Sequence, residues 1–255
     1  MRRAVIAAAV CTALVAPACS SSAGAKSSAG HLSGSIKVFA ASSLKEAFTT
    51  LGSQFEAAHQ DTKVIFNFDA SSALASSITQ GQQADVFASA STKNMGTVVS
   101  AGDASASTSF VSNTMEIATP AGNPAKVTGI ADLAEPGLKV ALCDPAVPCG
   151  ATAQEVFDKA KVGVRAITTE PDVKATLAVV EIKEVDAGMV YVTDVRAAGS
   201  KVTGVKIPDD INASTSYPIA ALKNSGNPDL AKAWVDYVLS DVGQKVLRGA
   251  GFSRP

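Results

Sequence analysis

The chain has few aromatic residues and almost no net charge. Phe, Trp and Tyr make up 5% of its 255 residues, and 22 Lys plus Arg face 23 Asp plus Glu. A nucleic-acid-binding surface would show as a basic stripe, and a membrane-binding patch as a polybasic cluster; the sequence has neither. An anionic ligand could not be gathered by net charge. Histidine is scarcer still, with only His31 and His59. A serine or cysteine nucleophile needs a base within reach. His31 falls in a Ser/Gly-rich stretch and His59 at the expected end of a helix, neither beside a serine-rich junction. The Gly-x-Ser-x-Gly elbow, the Walker loop and Cys-x-x-Cys are also missing. These absences argue against hydrolase, nucleotidase and thiol-oxidoreductase chemistry, and point to a chain that is not an enzyme.

Long hydrophobic runs are missing beyond the N-terminus. There, Arg2 and Arg3 precede an apolar stretch from Ala4 to Val15, too short for an ordinary membrane span and suited to a secretory signal over residues 1–18. Ala16-Pro17-Ala18-Cys19 looks like a bacterial lipoprotein processing site, with Cys19 as the lipidated residue. Residues 19–34, rich in Ser, Ala and Gly, read as a flexible tether. The expected location is the outer face of the cell membrane, held by lipid alone. Of four cysteines, Cys11 lies in the signal and Cys19 is the anchor candidate, which leaves Cys143 and Cys149. In an oxidising compartment these are expected to pair, closing a small loop worth about 2 kcal/mol. Their spacing does not fit zinc, and no second pair exists.

What is present is an alternation of short apolar runs and helical periodicity. Strands are expected at Ile36–Phe39, Val64–Phe68 and Asp85–Ala88, with helices after Ser43, over 72–80 and over 93–100. Strand, helix, strand in this order implies a parallel sheet with right-handed crossovers. A second unit begins near Thr114, and the last long pattern, from Leu230 to Leu247, is stopped by Gly249 and Gly251.

Two junctions look alike: Phe39-Ala40-Ala41-Ser42-Ser43-Leu44 and Phe68-Asp69-Ala70-Ser71-Ser72-Ala73-Leu74. In each, a strand meets paired serines and a helix follows. Helix starts carry free N–H groups and partial positive charge, and the serines add hydroxyl donors. Two such ends facing each other would make an oxyanion pocket without Lys or Arg. Plain helix capping is the competing role for either serine, and Ser43 with Glu46 fits a capping box. Ser42 and Ser72 are alternative donors to Ser43 and Ser71.

Val38 to Leu44, Phe68 to Ala75, Ala84-Asp85-Val86-Phe87-Ala88-Ser89-Ala90, Asp144-Pro145 with Val147-Pro148-Cys149-Gly150, Glu170 to Val173, Gly188-Met189-Val190-Tyr191-Val192-Thr193-Asp194 and Tyr217-Pro218-Ile219 follow in order. Together they resemble the molybdate-binding proteins of bacterial ABC importers, from about Ile36 to Phe252. The resemblance implies an α/β, type II periplasmic-binding-protein-like fold of two lobes, each a mostly parallel sheet flanked by helices, with the ligand in the cleft. It implies lobe 1 from residues 35–112 plus 218–255 and lobe 2 from 113–217. It also implies molybdate, and tungstate, held by Ser43 and Ser71 through hydroxyl and N–H, by the N–H groups of Cys149 and Val173, and by the Tyr191 phenol. Molybdenum would enter only as the oxyanion, with no cofactor. The implied partner is a permease driven by a cytoplasmic ATPase, served by a monomer; sulfate or thiosulfate is the rival ligand. The chain departs from the family pattern at Cys149, where Ala is common, at Ser91, where Asp is common, and in a loop before Cys149 that is one residue shorter.

Overall fold

Strands and helices alternate through most of the chain in the computed structural model, which describes residues 31–255. The expected signal, the Cys19 anchor and most of the tether lie outside the described residues. In chain order the strands are β1 (Gly34–Ala41), β2 (Thr62–Asp69), β3 (Val86–Ala88), β4 (Thr108–Pro120), β5 (Val140–Cys143), β6 (Thr168–Glu170), β7 (Ala187–Tyr191), β8 (Val202–Lys206) and β9 (Ser214–Ala221). The helices are α1 (Lys45–Ala58), α2 (Ser71–Thr79), α3 (Thr92–Ser100), α4 (Pro148–Ala160), α5 (Val173–Glu181), α6 (Val192–Ala198), α7 (Pro228–Leu239) and α8 (Asp241–Ala250).

Hydrogen bonds run along the strand order β2-β1-β3-β9-β4-β7-β5-β6, with β8 also on β4. The outer parts are parallel: β1 with β2 and β3, and β5 with β6 and β7. The middle is antiparallel, where β9 pairs with β3 and β4, and β4 pairs with β7 and β8. The long strand β4 serves both halves. Thr108 to Thr114 pair with β9, and from Met115 onward the strand pairs with β7. Parallel strands need crossover helices, and those helices start at the strands' carboxyl ends, which is where ligands sit in sheets of this kind.

Each half has its own core. Ile36, Val38, Phe48, Phe55 and Trp234 belong to one buried cluster, while Phe39, Leu74, Phe87 and Met95 fill the opposite face of the same half. Met115, Ile117, Val140, Phe157, Met189 and Val190 belong to the other half's core. The chain's C-terminal part returns to the first half: the Trp234 ring on α7 packs edge-on against Phe48 (5.7 Å) and Phe55 (5.5 Å) of α1.

The elements differ from the sequence expectation in several places. The Ser43–Glu46 capping box does not form. Ser42–Leu44 make a 3₁₀ turn before α1, neither N-cap has a side-chain bond, and Glu46 turns to another partner. The last helical pattern is two helices, because Ser240 takes an extended conformation and caps α8 by accepting from the Gly243 N–H. Hydrophobic periodicity continues through such a break, so it could not mark it. The short edge strand β6 carries too little apolar pattern to be read as a strand. Ser91, the departure noted above, caps α3 by accepting from the Asn94 N–H.

Trp234 fixes the return of the C-terminal helices. Trp234→Ala should destabilise the protein by about 3–5 kcal/mol, whereas Val242→Ser, at a position 53% exposed, should change stability by less than about 0.5 kcal/mol. Urea unfolding of both variants checks the contrast.

Candidate functional site

One small cleft, with about 210 Å³ of atom-free space, collects the carboxyl ends of strands and the helix starts that follow them. Ala41, Ser42 and Ser43 line it after β1, Asp69, Ala70 and Ser71 after β2, and Ala90 after β3. From the other half come Val147, Pro148 and Cys149 at the start of α4, Asp172 and Val173 at the start of α5, and Tyr191 at the end of β7. The structure therefore brings Ser43, Ser71, Cys149, Val173 and Tyr191 together. Ser42 lies on the same wall, while Ser72 is not among the lining residues.

The first N–H groups of a helix have no partner within it. In α2 and α4, as in the 3₁₀ turn at Ser42, no side chain caps them, and Pro148 sits in the first turn of α4. In α5 the Asp172 carboxylate accepts from the N–H groups of Lys174 (2.6 Å) and Ala175 (3.1 Å), not from that of Val173. Asp69 likewise turns its Oδ1 to the Ala70 N–H (2.6 Å). Both carboxylates on the cleft wall thus have an oxygen committed to backbone donors.

One cleft hydroxyl has a definite polarity. Ser71 Oγ accepts from the Ala90 N–H (2.8 Å), which leaves its own proton to be placed elsewhere. Ser43 Oγ lies 2.8 Å from the Tyr217 hydroxyl. Tyr191 is 1% exposed and its hydroxyl has no hydrogen-bond partner. Burial pushes this phenol well above its ordinary pKa, and Tyr217 and Asp194 add to the effect. The Thr152 hydroxyl, already donating to the Pro148 carbonyl, opposes it only in part.

The wall formed by α4 is braced from behind. Cys143 at the end of β5 and Cys149 in the first turn of α4 are joined by a disulfide, with Cα atoms 5.8 Å apart. The next residue must be small: a Cβ on Gly150 would lie 2.0 Å from the Asp144 carbonyl oxygen. The loop therefore packs directly onto the helix start, and Cys149 can offer its N–H whatever its side chain does.

No Lys or Arg lines the cleft, but Lys174 stands next to Val173. Its ammonium bridges Asp194 Oδ1 (2.8 Å) in its own half and Glu46 Oε2 (2.8 Å) on α1 of the other half. Burial alone would lower its pKa; the two carboxylates outweigh that and raise it. Asp194 is fully buried, and burial pushes its carboxyl up, against the pull of Lys174. The cation is therefore matched locally and lends the cleft no net positive charge.

Sequence reasoning missed Tyr217, Asn113, Asp172 and Lys174 as parts of this region. In the sequence, Tyr217 stands out only as part of the Tyr217-Pro218-Ile219 segment. Nothing local marks a hydroxyl that meets a serine 174 residues away in sequence.

A family described as bacterial extracellular solute-binding protein matches residues 36–253. The chain belongs to that family. It is 42% identical over 241 residues to the molybdate-binding protein ModA of Mycobacterium tuberculosis, covering 93% of this chain and 92% of the relative. Among solved structures, the periplasmic molybdate-binding protein of Azotobacter vinelandii superposes with a TM-score of 0.76 at 18% identity, over 86% of this chain and 99% of that one. The sulfate-binding protein SubI of Mycobacterium tuberculosis superposes equally well, with a TM-score of 0.75 at 18% identity and 86% of each chain covered. The solute-binding fold is thus shared by proteins named for different tetrahedral oxyanions, and fold alone does not choose between them.

The Lys174 bridge carries an asymmetric expectation. Lys174→Met strands the buried Asp194 carboxylate and should cost about 3 kcal/mol or more. Glu46→Gln removes a half-exposed partner and should cost no more than about 1 kcal/mol. Equal losses in chemical denaturation would contradict this account. Because the Lys174 pKa is raised in the folded state, the stabilisation it brings is complete below about pH 10, its unfolded value, and fades as pH rises through the folded value.

Proposed function

We propose that this solute-binding protein is the extracytoplasmic receptor of an ABC importer and binds molybdate, with tungstate as a second ligand, through neutral hydrogen-bond donors. The observation that carries the reading is the Tyr191 hydroxyl: buried, without a protein partner, and set on the same cleft as uncapped helix starts from both halves. A buried donor without an acceptor is costly. A tetrahedral oxyanion supplies acceptors in every direction the cleft needs. On this reading Ser43 and Ser71 each give hydroxyl and N–H, with Ser42 as an alternative on the first wall. Cys149 and Val173 give N–H groups and Tyr191 its phenol. Molybdenum enters as the dianion, held through its oxygens. Among the described residues no group of three or more His, Cys, Asp or Glu is placed to hold a bare cation. The 42% identical relative, named for molybdate, favours this anion over sulfate.

Binding would close residues 35–112 plus 218–255 onto 113–217 by a hinge motion, with β4 and β9 as the shared strands. The protein would then act as a monomer held outside the cytoplasm through lipidated Cys19, handing the anion to a permease driven by a cytoplasmic ATPase. The disulfide suits that compartment. A binding role rather than catalysis fits the cleft: it holds no histidine, and His59 lies at the C-terminal end of α1 against Phe55. Sulfate remains the competing ligand, because the SubI structure shares the fold.

Titration calorimetry on the soluble domain decides. Molybdate and tungstate should bind at micromolar strength or tighter, and Ser43→Ala and Tyr191→Phe should each weaken molybdate by about tenfold or more, the value of one charge-assisted hydrogen bond. Micromolar sulfate binding with no molybdate response would overturn the proposal. Molybdate affinity should also stay level from about pH 7 to about pH 10, since an ordinary phenol loses its proton near 10 and that of Tyr191 is held well above this value.

A further inference from the structure

We propose that Tyr217 determines the anion specificity of the cleft by fixing the direction in which Ser43 points its proton. This rests on the reading that Ser43 binds the anion. Tyr217 lies on β9, is fully buried, and does not line the cleft itself. Its hydroxyl is 2.8 Å from Ser43 Oγ and 3.5 Å from Asn113 Nδ2.

The polarity of this chain follows from its far end. Asn113 Oδ1 accepts from the Thr114 N–H (3.1 Å), which places the amide nitrogen toward Thr193 Oγ1 (2.8 Å) and Tyr217. An amide N–H₂ can only donate, so the Tyr217 oxygen is the acceptor in that contact. If Ser43 also donated to Tyr217, the tyrosine's own proton would be buried with no acceptor among these groups. The consistent arrangement runs Asn113 to Tyr217 to Ser43, and the Ser43 proton is left for the cleft. Ser71 reaches the same condition by a different route, because its oxygen accepts from the Ala90 N–H.

A serine hydroxyl can ordinarily give or take a hydrogen bond. Here each serine's oxygen is supplied with a donor by the protein, so each presents a proton to the ligand. A fully ionised oxyanion accepts from both. An oxyanion that still carries a proton meets two serine protons aimed at it and only each oxygen's one remaining lone pair behind them, and the mismatch disfavours it. Tyr217 is the group that supplies Ser43 with its donor, and a side-chain change can remove it. Tyr217→Phe frees Ser43 to act as an acceptor.

The test compares wild type with Tyr217→Phe, Ser43→Ala and the double variant. Molybdate is measured by calorimetry, and arsenate, which keeps a proton at neutral pH, by competition. Tyr217→Phe should weaken molybdate by about tenfold while the arsenate inhibition constant holds or improves. The loss should largely vanish in the Ser43→Ala background, since the tyrosine acts through that serine. A Tyr217→Phe loss that is equal in both backgrounds overturns the inference. So does an arsenate constant that worsens together with molybdate, or that stays beyond measurement in the variant. Wild-type protein that takes no molybdate overturns the proposed function itself. A wild type that binds, with Tyr217→Phe unchanged, overturns this inference alone.

Discussion

Helix starts aimed at one small space repel each other, because each carries partial positive charge and unpaired N–H groups. Holding several of them there is the constraint on which the rest of this structure depends. The starts of α2, α4 and α5 and the 3₁₀ turn before α1 meet at the cleft, and the cleft wall itself contains no acidic side chain that is free of backbone bonds to its own turn. The arrangement has to be held from behind. Parallel strands do this by fixing where each helix begins, and the cores beneath them anchor α1 and α2 in one half and α4 and α5 in the other. The disulfide ties the start of α4 to the end of β5, and the Lys174 bridge ties the start of α5 to α1.

That second tie also explains how the cleft gains no positive charge although a lysine stands beside it. Lys174 is faced by two carboxylates, one buried and one half-exposed. Its charge is spent on Asp194 and Glu46, and the cleft is left with dipoles, hydroxyls and the Asp69 and Asp172 carboxylates, each bonded to backbone N–H groups. An ammonium on the cleft wall would attract any anion. Donors of fixed direction, as proposed here, would instead reward an anion whose oxygens all accept and turn general attraction into selection by protonation state.

Much of this was legible in the sequence, for a physical reason. Strand-to-helix junctions write themselves locally: apolar alternation, paired serines, then helical spacing, as at Phe39 to Leu44 and Phe68 to Leu74. The opposite wall is different. Cys149 and Val173 present backbone groups, and a backbone N–H leaves no trace in residue identity; only resemblance to a known family pointed to them. The parts that escaped altogether are long-range. Glu46 looked like a capping-box member from its spacing, yet it pairs with Lys174, 128 residues away. Tyr217 stood only in the Tyr217-Pro218-Ile219 crossing that resembles the family, yet its hydroxyl meets Ser43. Local pattern reports the backbone of a site well and reports poorly which distant side chains complete it.

The two tyrosines of the region show why side-chain hydroxyls sit where backbone donors could have served. Tyr191 and Tyr217 are buried neighbours, with ring centroids 6.4 Å apart, yet their hydroxyls are in opposite situations. That of Tyr217 is bound into a chain from Asn113 to Ser43, so it is satisfied whatever occupies the cleft. That of Tyr191 has no protein partner. On the proposed function, closing the two halves would bury this hydroxyl at a cost of about 1–3 kcal/mol, which an acceptor entering the cleft would remove. Closure would then be favoured by an oxyanion and disfavoured without one, because a ligand can shift such an equilibrium only by contacts it makes in one state and not the other. On that reading Tyr217 would hold the donor pattern in place, Tyr191 would make closure conditional on what that pattern receives, and binding and hinge motion would become one event.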